Sequence, residues 1–165
     1  MPAAEHSDGA QGGPRPAPRE LAIGEAGGPA GMAACFAIRR AVFCVEQGVP
    51  EKLEIDGKDE ECRHFLLRLG GQAAGTARVR PLEPGIAKIE RVAILARHRG
   101  CGLGSALMRH VLASLDAQQR AAVLHAQAHS ETFYRALGFA TEGAPFEEAG
   151  IPHVRMTRKS RPPGN

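Results

Sequence analysis

Tryptophan is absent from these 165 residues, tyrosine occurs once, as Tyr134, and aromatic residues make up only 4%. A chain so poor in flat side chains offers no platform for stacked bases. Broad basic charge is missing as well. The formal net charge is +3, but Arg155, Arg158, Lys159 and Arg161 supply an acid-free end, and residues 1–154 carry 17 basic against 18 acidic side chains. That balance predicts no nucleic-acid face. Cys35, Cys44, Cys62 and Cys101 form no CxxC pair, which argues against a thiolate zinc site and fits reduced thiols in a cytoplasmic chain. The histidines contain no HExxH, and His125 and His129, four apart, straddle a strand end and a loop. No metal is expected. No apolar run is long enough to predict a membrane span, and the opening MPAAEHSDGAQGGPRPAPRE lacks the apolar segment of a secretory signal.

What is present suffices for one domain. Apolar residues make up 43% of the chain, enough for a single core at this length. The Pro-, Gly- and Ala-rich opening reads as a disordered leader over 1–19, and the polar end as a loose tail over 159–165, leaving a domain over 20–158. Within it, LAIGEA (21–26) predicts a strand, and PAGMAACFAIRRAVFCVEQ (29–47) a helix opened by Pro29 and closed by Gly48 to Pro50. RHFLLRL, a Gly70–Gly71 turn and QAAGTARVRPL predict a hairpin, and IAKIERVAIL (86–95) a further strand. Leu103, Leu107, Met108, Val111, Leu112 and Leu115 mark one face of a helix of about four turns at ~3.6 residues each. AAVLHAQ (121–127) reads as a buried strand, SETFYRALG as a short helix from Ser130 to Gly138, and HVRMTR (153–158) as a closing strand. This order predicts a mixed α/β layer with a central βαβ unit.

The most informative stretch is RHRGCGLGSALMRHVLASL, where a strand runs through Gly100, Gly102 and Gly104 into the long helix. The first amides of a helix lack intrahelical partners and carry its positive dipole end, so an anion is the natural occupant. The glycines admit close approach or a positive φ, and Arg97 and Arg99 are placed to add charge. A Walker A loop would require a Lys after the glycines, and none follows. A dinucleotide fingerprint would put Ser105 at its third glycine and want an acid where Arg120 lies. A pyrophosphate held by main chain remains.

Arg97-His98-Arg99-Gly100-Cys101-Gly102 matches the R/Q-x-x-G-x-G/A signature of the GNAT acyltransferase superfamily, and AQAHSETFYRALGF resembles that family's strand, helix and Tyr-x-x-x-Gly-Phe segment. The resemblance covers about residues 20–158. IRRAVFCVEQGVP and FEEAGIPHVRM resemble a small bacterial branch of N-acetyltransferases. The resemblance implies a mixed, mostly antiparallel central sheet with splayed parallel strands, flanked by helices. It implies acetyl-CoA as co-substrate, with pantetheine on the main chain of Val92, Ala93 and Ile94 and pyrophosphate on residues 99–105. Cofactor contacts thus fall on Arg97, Arg99, Gly100, Cys101, Gly102, Leu103, Gly104 and Ser105, with Gln127 where many relatives have Asn and Ser130 where many have Ala. Tyr134 matches the position of the acid that assists the departing thiolate.

Glu90 is the leading candidate for the base that deprotonates the acceptor, with Glu46, Glu54, Asp56 and His64 as alternatives. Seven acids between Glu46 and Glu61 face only Lys52 and Lys58, a net charge of −5 that would attract a cationic acceptor if the loop flanks the cleft, or would simply be solvated. Cys101 stands beside the phosphate amides, too far from a thioester for covalent catalysis. The expected activity is N-acetyl transfer to a small-molecule amine, with no nucleic acid or membrane partner and with room for a homodimer. The alternative is a non-catalytic acyl-CoA sensor or interaction module.

Overall fold

A computed structural model describes residues 18–162; most of the expected leader and the last three residues lie outside that range. Strands β1 (Leu21–Glu25), β2 (Arg63–Leu69), β3 (Gln72–Glu83), β4 (Ile86–Ile94), β5 (Ala121–Gln127), β6 (Ala140–Glu148) and β7 (Ile151–Arg158) build one sheet in the order β1-β2-β3-β4-β5-β7-β6. Every neighbouring pair is antiparallel except β4 and β5, which run parallel. The helix α3 (Leu103–Ala117) makes the crossover between them. Its predicted apolar face is buried against one side of the sheet with Phe65, Leu67, Ala77, Ile89 and Leu124.

The other side is covered by α1 (Gly28–Arg39), whose Cys35 and Ile38 pack with Val42, Leu66 and Ala93. The helix continues as a π-helical segment, Arg40–Glu46, as the single helical span read from the sequence requires. By length and composition, Gly28–Glu46 is sufficient to cross a bilayer. Counting unbroken apolar runs missed this because Arg39 and Arg40 interrupt the pattern. In the fold, Arg39 is buried, its guanidinium on Glu54 and Asp59.

The elements that went unforeseen include a single turn and a full strand. A single turn, α2 (Glu51–Glu54), follows the π-helical segment. Strand β6 is mostly exposed, carries Gly143 and Pro145, and breaks register between Glu142 and Phe146. An edge strand with one wet face and an interrupted ladder has no alternating apolar signature to read. The remaining helix, α4 (Glu131–Ala136), starts after Ser130 and ends before Gly138, whose φ is 93°. At the expected start Gly70 donates to the Glu20 carbonyl at 2.7 Å, and past the expected end at 158 the Arg161 amide donates to Asp116 at 2.9 Å.

Candidate active site

The parallel pair is hydrogen-bonded only from Ile86 opposite Ala121 to Ile89 opposite Leu124. Beyond that register the two strands part. Strand β4 stays with β3, where Thr76 faces Ala93 and Gly75 faces Ile94, while β5 stays with β7 as far as Gln127 opposite His153. The cause lies in one extra residue. Arg78 pairs with Glu90 but Thr76 pairs with Ala93, and Arg91 takes φ 55°, so β4 carries a bulge. The bulge resets the alternation: Ala87 and Ile89 face α3, as do Val92 and Ile94, while Ala93 turns to α1. Gly75 is needed beside it, since a Cβ there would overlap Ile94 Cδ1 and come within 3.2 Å of the Ala93 carbonyl.

The wedge runs out at the glycine loop. After the short turn Ala96–His98, Gly100 and Gly102 have φ of 78° and 83° and deliver the chain into α3. Ala106 is the first helix amide to find a carbonyl, that of Gly102 at 3.1 Å; among the described residues the amides of Leu103, Gly104 and Ser105 donate to none. Three unpartnered donors at a helix start are an arrangement that suits an anion. Leu103 contributes only main chain, for its side chain is in the core. Cys101 donates its thiol to the His98 carbonyl at 3.1 Å, Ser105 is half-buried and Arg97 is exposed.

The structure gives Arg99 a different partner from the expected anion. Its guanidinium is paired with Glu46, with one contact at 3.0 Å, and its Nε donates to the Ile94 carbonyl at 2.9 Å. Arg99 therefore ties the end of the first helix to the end of β4. Gln127 is likewise engaged, exchanging amide hydrogen bonds of 2.8 and 3.2 Å with Gln47. Any side-chain contact from Gln127 to a ligand requires that pair to open.

A cleft of about 780 Å³ follows the wedge, lined by Val92, Ala93, Ile94, Gln127 and Tyr134 and, on its far side, by α2. Tyr134 is 9% exposed and packs edge-on to Phe133 and Phe139. Its hydroxyl makes no hydrogen bond among the described residues, and burial pushes its pKa up to about 12. The phenol stays protonated, as a donor must.

Glu90 also lines the cleft, but it is held. Arg78 reaches it at 2.6 Å, Arg80 at 3.1 Å and Lys88 at 3.3 Å. Burial pushes its carboxyl up, but the hydrogen bond from Arg80 and the charge of Arg78 outweigh that and hold it down to about 2. An alkylammonium near ~10.4 would give up its proton to such a group at a cost of roughly 11 kcal/mol, at ~1.36 kcal/mol per pKa unit. Glu90 is thus a structural anion and a poor proton acceptor. The alternatives are equally engaged: Glu46 with Arg99, Glu54 with Arg39 and Arg91, and Asp56 with Arg78 and Arg91. His64 is buried against the Asp59 carbonyl at 2.9 Å, away from the cleft.

The acidic loop does flank the cleft, and its charge divides: Glu51, Glu60 and Glu61 are exposed, as a solvated loop would have them, whereas Glu54, Asp56 and Asp59 are taken up by arginines. Asp56 accepts both Arg78 Nη donors at 2.8 Å, and Asp59 accepts Arg78 at 3.0 Å and Arg39 at 2.6 Å. The hydrogen bonds from Arg78 lower the Asp56 carboxyl, and those from Arg39 and Arg78 lower Asp59 against the upward push of its burial. These acids are counterions to arginines buried under the sheet. They also hold the bulge, since Arg91 pairs with Glu54 at 2.7 Å and donates to the Leu53 and Glu54 carbonyls. At the basic end Arg155 is paired with Glu142 at the surface and Arg158 with Asp116.

A splayed parallel pair, an amide-lined loop at its end and a proton-bearing tyrosine in the same cleft invite comparison with known proteins. The family model described as "Acetyltransferase (GNAT) domain" matches residues 24–160. The chain belongs to the GNAT acetyltransferase family. A Bacillus subtilis relative described as the uncharacterized N-acetyltransferase YjcF is 34% identical over 125 residues, covering 74% of this chain and 89% of the relative. The crystal structure of Escherichia coli ElaA superposes with a TM-score of 0.76 at 30% identity, covering 86% of this chain and 99% of that one. A Pseudomonas aeruginosa acyl-CoA N-acyltransferase gives a TM-score of 0.75 at 28% identity, covering 85% and 99%. The GNAT assignment makes the chain an acyltransferase by family and accounts for its mostly antiparallel sheet.

Sequence reasoning missed the bulge at Arg91, because ERV carries no glycine to mark a positive φ. It also missed the clamp around Arg78. A signal existed there, since an arginine in an otherwise apolar strand next to an acid-rich loop points to buried pairing.

Proposed function

We propose that the chain transfers the acetyl group of acetyl-CoA to the primary amine of a small molecule, by direct attack of the neutral amine while both substrates are bound. The observation that carries this reading is the opening of β4 from β5 beyond Ile89 and Leu124, ending on the unpartnered amides of Leu103, Gly104 and Ser105. Pantetheine would pair with main chain at Val92, Ala93 and Ile94 as a stand-in strand. Pyrophosphate would lie on the amides of the Gly100–Gly102 turn and the helix start. The description of the Pseudomonas aeruginosa neighbour as an acyl-CoA N-acyltransferase supports the same co-substrate class.

Tyr134 sets how the thiolate leaves. Full proton transfer from a phenol at about 12 to a thiolate of ordinary pKa ~8.5 would be uphill by roughly 5 kcal/mol. Its contribution is therefore a hydrogen bond that strengthens as charge builds on sulfur. Incubation of the full chain with acetyl-CoA, a panel of primary amines and a thiol reporter tests the reading. The expected result is amine-dependent release of CoA. Calorimetric CoA binding without release for any amine would overturn it in favour of a non-catalytic acyl-CoA-binding module.

A further inference from the structure

We propose that His125 is the catalytic base of this site and that Glu148 positions it, an inference that rests on the acyl-transfer reading above. His125 follows Leu124, the last β5 residue paired with β4, and it lines the cleft together with Tyr134. Strand alternation puts Leu124 in the core and His125 on the opposite, cleft-facing side. The imidazole is fixed from two directions. Its Nδ1–H donates to Glu148 Oε1 at 2.6 Å, and Phe146 meets the ring edge-on at 4.9 Å between centroids. The second Glu148 oxygen lies 3.9 Å from His153 Nε2, beyond hydrogen-bond reach. His153 is anchored by donation from Nδ1 to the Ile151 carbonyl at 2.7 Å and by stacking on Phe146.

This arrangement leaves His125 Nε2 as a lone pair with no partner among the described residues, on a side chain 25% exposed. Of the carboxylates lining the cleft, Glu46, Glu54, Asp56 and Glu90 are all bound to arginine; among the described residues Glu148 pairs with no arginine or lysine and accepts from His125. The charged residue directly opposite His125 is Arg155 on β7, itself paired with Glu142; the other charged or titratable groups lining the same cleft, besides the carboxylates and Tyr134, are Lys58, Arg80, Lys88, Arg91, Arg99, His129 and His153.

The chemistry balances. The acceptor ammonium gives one proton to Nε2, and the imidazolium is stabilised by the Glu148 carboxylate. The neutral nitrogen attacks the thioester carbonyl, the C–N bond forms and the C–S bond breaks. The second ammonium proton passes to the sulfur, leaving amide and free thiol, and the imidazolium returns its proton to solvent.

His125→Asn keeps a group able to donate to Glu148 while removing Nε2. With alanine amide, an α-amine of pKa near ~8, and butylamine, near ~10.4, the variant is expected to lose about a hundredfold in kcat at pH 7, with calorimetric CoA affinity unchanged. At a pH above each amine's own pKa the deficit is expected to shrink to a few-fold, because the amine is then already neutral. Glu148→Gln is expected to lose about tenfold and to shift the acidic limb of the pH–rate profile. An equal deficit at every pH would mark His125 as merely structural and overturn the assignment, as would unchanged turnover. If the unaltered protein binds CoA yet acetylates neither these amines nor the wider panel, the transferase reading itself fails, and the base assignment with it.

Discussion

Arg78→Met should destabilise the protein by several kcal/mol, and the deficit should vanish in acid. Arg78 is fully buried at the middle of β3, and its guanidinium serves Asp56, Asp59 and Glu90 together. Methionine fills much of the space but leaves these carboxylates facing one another around a missing charge. Removing one partner of a buried pair costs about 3–5 kcal/mol. The linkage of Glu90 gives a figure of the same size: depression from 4.5 to about 2 corresponds to about 3 kcal/mol of stability tied to its ionised form. Arg80 and Lys88 keep part of that, whereas Asp56 and Asp59 lose their shared ligand. For a chain of this length, 3–5 kcal/mol lowers Tm by about 6–20 °C. The sign follows from the shifts. Folded-state pKa values of Asp56, Asp59 and Glu90 all lie below their unfolded values, so their contribution is complete above about pH 4.5 and fades as pH falls towards 2. Calorimetric melts of both proteins at pH 7, 5, 4 and 3 should show the gap in Tm closing through that window. A gap that stays constant from pH 7 to 3 would show that Arg78 acts by packing alone and would refute the clamp.

The loop and the tyrosine yield sharper contrasts between binding and turnover. Gly102→Val meets open space, but φ 83° is closed to a β-branched residue; the turn should reshape and calorimetric CoA affinity should fall at least tenfold with Tm shifted by only a few degrees, and unchanged affinity would contradict the amide seat. Tyr134→Phe keeps the edge contacts to Phe133 and Phe139, so CoA affinity should hold while kcat drops about tenfold or more; equal rates at every pH would remove its assigned role. Gly75→Val should overlap Ile94 and push β4 off its bulge, lowering both Tm and CoA affinity, and a variant that keeps full affinity would separate the bulge from the wedge.

Periodicity made most of the fold legible. The α3 stripe from Leu103 to Leu115 is buried as read, and β5 spans the residues its apolar run predicts. What escaped notice was held by contacts distant in sequence. Strand β6 carries its one large apolar residue, Phe146, beyond a register break. The single turn α2 exists because Arg39 and Arg91 converge on Glu54 from residues 15 and 37 positions away. Such ion pairs leave only composition in the sequence, an excess of acid in one loop and isolated arginines in β3 and β4. Read as a surface field, that excess suggested a solvated loop or a lure for cationic substrate. Read as charge awaiting buried partners, it accounts for the clamp.

The same distinction divides the site. The conformation of the glycine loop was legible because glycine spacing before an amphipathic stripe is a local pattern, and Gly100 and Gly102 have the positive φ that pattern demands. Residues acting through side chains depend on which strands meet. Glu90 looked available as a base from its place on β4, but β3 delivers Arg78 and Arg80 to the same face. His125 looked like half of an unconvincing metal pair with His129, because its carboxylate partner lies 23 residues away, at the end of a strand the sequence did not announce. The order β5-β7-β6 brings Glu148 back across β7 to His125. The acid–base assignment proposed for this cleft accordingly rests on topology, and the edge strand least visible in the sequence supplies the carboxylate beside His125.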